Sequence, residues 1–154
     1  MISDETPLGE VKDWLAENMD GGVACPACTQ MVKLYRRKIT SPMARGLIKQ
    51  YRVAGREYAH SASVAREETH EFSQLAWWGL VEEHDGRRDD GGRAGWWRIS
   101  DLGESFVRGE VAVPKYVYVY NKQVHLRDPR RKVYIRDALG TKFDYAELMG
   151  ATIE

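Results

Sequence analysis

With 154 residues, no net charge and an apolar fraction that includes five Trp and eight Tyr, the chain reads as one folded domain, or one domain with a small appendage. No run of about 18 apolar residues occurs, which excludes a transmembrane helix and any membrane partner of that kind, and the acidic start MISDETPLGEVKDW lacks the basic and apolar stretches of a secretory signal. Two Cys make no disulfide framework, so a reducing, cytoplasmic location is expected.

The predicted elements begin at Thr6-Pro7, an N-cap and first-turn Pro for a helix with Leu8, Val11, Trp14 and Leu15 at helical spacing and Asp20-Gly21-Gly22 as its stop. A CPAC turn follows, from Cys25 to Cys28. Met31 to Ile39 fits a helix somewhat better than a strand. Ser41-Pro42 caps the clearest helix, over 42–54, whose apolar stripe is Met43, Ala44, Leu47, Ile48 and Tyr51. Arg45, Lys49, Arg52 and Arg56 lie on a different face, expected to meet solvent. A short helix capped by Ser61 covers 61–66, and a third helix covers 69–78 with Phe72, Leu75 and Ala76 inward and Gly79 closing it. Val81 to His84 reads as a strand, DGRRDDGGRAG as a solvated turn and Trp96 to Ile99 as the returning strand. Ser100 caps a helix to about Arg108. After Pro114 strict alternation puts Tyr116, Tyr118 and Tyr120 on one strand face and Val117 and Val119 on the other. Turns at Asn121-Lys122 and DPRR separate this strand from two more, over 124–127 and 132–135, which predicts a β-meander. Asp144 and Glu147 then form a capping box for a closing helix. The fold class is α+β, with segments 1–40, 41–109 and 110–154 packed as one unit.

The zero net charge conceals strong segregation. Residues 1–20 carry six acids and one Lys, whereas residues 21–56 carry eight bases and no acid. Residues 57–85 return to a net of −6 and residues 111–136 swing to +6. Segments this basic either present patches to a polyanion or pair with the acidic segments inside the fold.

The order helix, short helix, helix, strand, wing, strand, helix over residues 41–109 resembles the winged helix-turn-helix family. In WWGLVEEH…GWWRISDLGESF, Gly79, Leu80 and Val81 leave the third helix, while Gly95, Trp97, Ile99, Ser100, Gly103 and Phe106 leave the wing as that family's ending does. The resemblance implies binding of double-stranded DNA as a transcriptional regulator, or use of the fold as an interaction module on a host protein complex. It implies base contacts from His70, Ser73, Gln74 and Trp77 and phosphate contacts from Arg87, Arg88 and Arg93 on the wing, with Arg45, Lys49 and Arg52 adding to them. Glu67, Glu68 and Glu71 oppose DNA reading, because a duplex presents one phosphate charge per ~1.7 Å. The CPAC turn followed by YRRKI and S-P-M-A-R is also similar to a set of small bacteriophage-type proteins, which implies origin and no activity. A homodimer is compatible with this reading.

Cys25-Pro26-Ala27-Cys28 has the spacing of half a zinc site. His60 and His70 would complete it within one chain, or two chains would each donate a turn. The alternatives are two ordinary cysteines or a redox pair, although the βαβ surroundings of a redox CxxC are missing. Tyr116, Tyr118 and Tyr120, with Arg130, Arg131 and Lys132 nearby, offer a stacking platform for single strands or, more commonly, rings that cover the 41–109 segment or a partner chain. No phosphate-binding glycine loop, Gly-x-Ser-x-Gly or His-Glu-x-x-His occurs, so no enzyme is expected.

Overall fold

The fold is that of a computed structural model, which describes residues 1–84, 95–141 and 143–150, the side chains of Arg66, Thr69 and His70 excepted. It is α+β, and among the described residues no helix is long and apolar enough to cross a membrane. Helix α1 (Leu8–Asn18) is peripheral and buries no residue completely. The expected Thr6 cap is not made. Pro7 holds the cap position, and the Thr6 hydroxyl accepts from the Ser3 N–H at 2.9 Å instead.

Strands β1 (Val23–Ala24) and β2 (Met31–Val32) pair antiparallel around the CPAC turn, and β3 (Tyr35–Lys38) follows. Residues 31–39 are therefore extended where a helix was favoured. The reason is tertiary: Tyr35–Lys38 pair with a strand near residue 118, and a sheet edge outweighs a weak helical preference.

Helix α2 (Ser41–Ala54) is the central element. Thr40, not Ser41, is its N-cap, accepting from the Met43 N–H at 3.4 Å, while the Ser41 hydroxyl donates to the Leu139 carbonyl at 2.9 Å. Strand β4 (Ala59–His60) precedes α3 (Ser61–Val64), which His60 caps in place of Ser61 by accepting from the Ala62 N–H through Nδ1. The third helix is only one α-turn, α4 (Thr69–Phe72), before it tightens into a 3₁₀ stretch over Ser73–Trp78. Its burial explains this. Phe72, Leu75 and Trp78 are all fully buried, and a period of three aligns them on one line only at three residues per turn. Gly79, at φ 75°, ends it in the left-handed conformation.

Strands β5 (Val81–Glu83) and β6 (Trp96–Ile99) lie where the sequence pattern puts them, and the sheet order is β4-β6-β5, antiparallel throughout. Helix α5 (Asp101–Val107) starts at Ser100. The Ser100 Oγ accepts from the Gly103 N–H at 3.0 Å and donates to the Gly79 carbonyl at 2.6 Å, so one hydroxyl joins the helix start to the end of the third helix.

The remaining elements are β7 (Val113–Pro114), β8 (Tyr116–Tyr120), β9 (Gln123–Arg127), β10 (Lys132–Val133), α6 (Ile135–Leu139) and α7 (Tyr145–Leu148). No three-strand meander forms. β8 and β9 make a hairpin through Asn121 and Lys122, both at positive φ, but the third strand of their sheet is β3, in the order β3-β8-β9. β10 pairs with β7 instead, because the chain turns at Tyr134 into α6, whose Ile135 and Leu139 are buried. Asp144 caps α7 by accepting from the Glu147 N–H at 3.0 Å.

One buried cluster runs through these parts: Ile39, the inner face of α2, the third helix, β6, α5, Val113, Val117, Ile135 and Leu139. Polar ties follow the same seam. Trp78 Nε1 donates to the Pro114 carbonyl at 2.7 Å, and Tyr145 donates its hydroxyl proton to the Val107 carbonyl at 2.5 Å.

Candidate nucleic-acid interface

The acids ahead of the third helix do not confront solvent as an unpaired group. Glu68, whose carboxylate is fully buried, lies 2.5 Å from Arg45 Nε and 3.0 Å from Lys49 Nζ. Glu67 pairs with Arg45 at 3.2 Å, and Glu71 accepts from the Thr40 hydroxyl at 2.8 Å. A carboxylate this buried needs its cations close by, since an unpaired charge in an apolar interior is costly. Gly46 permits the approach: a Cβ there would sit 3.1 Å from the Glu68 Cβ and 3.3 Å from the Phe72 ring. The basic stripe begun on α2, expected to face solvent, is thus divided: Arg52 and Arg56 are exposed, while Arg45 and Lys49 are half-buried against the acids. Arg45 and Lys49 are spent on Glu67 and Glu68, Arg52 donates to the Leu148 carbonyl at 3.0 Å, and Arg56 pairs with Asp101 at 2.6 Å.

Two consequences follow for the third helix. Its outward positions, Ser73 (exposed) with Gln74 and Trp77 (half-buried), carry no charge. Its cations come from elsewhere. Trp77 lines a small cavity of about 140 Å³ together with Tyr35, Arg37, Val119, Asn121 and Lys122. Arg127 reaches the same end of the helix, donating from Nε to the Trp77 carbonyl at 2.7 Å. Arg37, Lys122 and Arg127 are all exposed. None of the three is evident from the sequence as a neighbour of this helix, because they are far from it along the chain and the pattern of residues 31–39 favours a helix over the strand that carries Arg37. Arg87, Arg88 and Arg93 lie outside the described residues.

Cys25 and Cys28 are free thiols 3.6 Å apart. The turn that brings them together is closed by the Cys25 N–H on the Gln30 carbonyl (2.8 Å) and the Thr29 N–H on the Cys25 carbonyl (2.9 Å), with Thr29 at φ 66°. The backbone N–H groups of Cys28 and then Ala27, with the Cys28 thiol, hold the Cys25 thiol below the ordinary cysteine range. Among the described residues no third Cys, His, Asp or Glu joins them to make a metal-sized cluster. His60 is occupied as the α3 cap and sets its ring edge-on to Trp96 at 5.6 Å, while the His70 side chain lies outside the described residues.

The β3-β8-β9 sheet places its valines inward. Val117 is fully buried and Val119 nearly so, whereas Tyr116, Tyr118 and Tyr120 remain partly exposed on the opposite face. The expectation that these rings cover the 41–109 segment is therefore corrected: the valines do so. Comparison with protein families, with curated proteins and with solved structures found no match to this chain.

Proposed function

We propose that this protein is a winged-helix binder of double-stranded DNA, of the kind that regulates transcription. The order α2, β4, α3, third helix, β5, β6 with the sheet order β4-β6-β5 supports the fold reading, since β5 and β6 follow the three helices and pair antiparallel as the two arms of a wing would. The observation that carries the DNA reading is the charge arrangement at the third helix. Glu67 and Glu68 are neutralised by Arg45 and Lys49 and Glu71 is tied to Thr40, which leaves Ser73, Gln74 and Trp77 as an uncharged reading edge. Arg37, Lys122 and Arg127 flank it as phosphate ligands in place of Arg45 and Lys49, which are paired with acids, and Arg52, which is bonded to the Leu148 carbonyl. Gln74 has the donor and acceptor that adenine requires in the major groove.

A mobility shift at low salt with mixed duplexes tests this. Affinity should fall steeply as salt rises, and Arg37→Ala or Lys122→Ala should each reduce the salt slope by about 1. Gln74→Ala should relax sequence preference without changing that slope. Arg87→Ala with Arg88→Ala asks the same of the wing. If no duplex shifts while the protein co-purifies stoichiometrically with a host complex, the fold is serving as a protein-interaction module and the DNA reading fails.

A further inference from the structure

The tyrosine face of the β3-β8-β9 sheet has a composition of its own. Residues paired across an antiparallel sheet share a face, so the register Arg36↔Tyr118 and Lys38↔Tyr116 sets two cations beside the ring row. Arg36 lies over the Tyr116 ring at 4.5 Å, and Lys115 approaches the same ring at 5.5 Å. None of the three strands, YRRK, YVYVY and QVHLR, contains an acid. Asp128, just beyond β9, is spent on Arg130 at 2.8 Å. Arg36, Lys38 and Lys115 make no ion pair among the described residues, in contrast to the α2 bases. The row does not end in bulk solvent. Lys38 and Lys115 also line a cleft of about 630 Å³, where Arg131 and Lys132 join them and Asp137 is the one acid among the described residues of the wall.

We propose that this face binds single-stranded DNA, with bases stacked on Tyr116, Tyr118 and Tyr120 and the phosphate backbone carried past Lys38 and Lys115 into the basic cleft. Successive tyrosines on one strand face stand about 6.7 Å apart, which leaves room for one base against each ring. Stacking suits any base, and the flanking cations add both phosphate attraction and cation–π contact. A protein partner is the less suitable occupant. Half-exposed rings interleaved with uncompensated cations suit a polyanion better than an apolar surface, whose core would be depleted of charge. The site stands apart from the third helix and does not depend on duplex recognition there.

Fluorescence anisotropy with a labelled oligo-dT of about 12 nucleotides reads the site. Binding is expected at low salt. Tyr118→Ala should weaken it about tenfold and Tyr116→Ala with Tyr118→Ala about a hundredfold, whereas Tyr118→Phe should stay within about twofold. Lys38→Ala and Lys115→Ala should each lower the salt slope by about 0.7, the single-strand value. Duplex binding should be unchanged in Tyr118→Ala, while Gln74→Ala should leave oligo-dT binding intact, so the two sites fail independently. Should Tyr118→Ala not fold, Tyr118→Thr removes the ring while keeping a strand-forming residue. The proposal is overturned by the absence of oligo-dT binding, by binding that survives loss of both rings, by tenfold tighter binding of oligo-U RNA, or by tyrosine variants that alter self-association alone.

Discussion

At Cys25 two backbone N–H groups converge on one sulfur, and hydrogen bonds to a thiolate favour the charged form. Alkylation of Cys25 followed by peptide mapping should therefore have a pH midpoint below the ~8.5 of a free cysteine. A midpoint at or above that value would show that the N–H groups do not reach the sulfur in solution. The same lowering favours deprotonation by a soft metal, and Cys25 and Cys28 are proposed as half of a zinc site. Metal analysis of protein purified without chelator checks this: with His60 held at the start of α3, a site shared by two copies gives about half a zinc per chain. A content near zero sinks the idea. Asp128 is a second residue whose ionisation the fold controls. The side chain and backbone N–H of Arg130 hold its carboxyl down to about 2. A carboxyl lowered on folding stabilises the native state above its unfolded pKa of ~3.9, and that contribution is lost as pH falls towards 2. Asp128→Asn should thus be less stable than the parent at neutral pH, and the gap should close between about pH 4 and pH 2 in denaturant melts.

The elements differ in how far their residues declared them. The stretch WWRISDLGESF was legible because each of its marked positions meets a local demand. Trp97, Ile99 and Phe106 are buried, Ser100 joins two helix ends, and a Cβ at Gly103 would collide with the Leu80 carbonyl. Gly103→Ala is accordingly expected to cost about 3 kcal/mol, read as a fall in denaturation midpoint without change of slope. A cost under about 1 kcal/mol would mean that α5 is free to move off β5. The third helix was legible as helical but not as 3₁₀, since the alignment of Phe72, Leu75 and Trp78 on one line becomes decisive only when all three are buried. β3 was not legible at all. Tyr35–Lys38 has no apolar alternation to announce a strand, and what fixes it is a partner some eighty residues onward. Misreading β3 hid Arg36, Arg37 and Lys38 from both surfaces that they serve. The α2 bases were half legible: Arg52 and Arg56 are exposed as their helical face implies, whereas the carboxylates that meet Arg45 and Lys49 belong to a neighbouring element.

On the scale of the whole molecule, the tail after residue 110 shares one interior with α2 and the third helix. Val113, Val117, Ile135 and Leu139 lie in the same buried cluster as α2 and the third helix, and Trp78 and Tyr145 bond across the seam. A chain ending at residue 109 would bare that apolar face and orphan the Trp78 indole N–H. It is expected to lose cooperative thermal unfolding, and a sharp, parent-like calorimetric transition in the truncated chain would refute the shared interior. Charge was legible here as segregation but not as outcome. Within the first basic segment the α2 bases are mostly neutralised by the acids of 67–104, while β3 and the basic tail segment keep their cations at the surface. The pairing of β3 with β8 also has a consequence in time. At roughly 5 to 20 residues per second, a ribosome needs on the order of 4 to 16 s to make the chain between the two strands. Through that interval the nascent β3 has no partner for its N–H and C=O groups. An unpaired edge invites association with other chains, and charged side chains are the usual guard against it. Arg36, Arg37 and Lys38, three consecutive cations on that strand, hold like chains apart until β8 arrives.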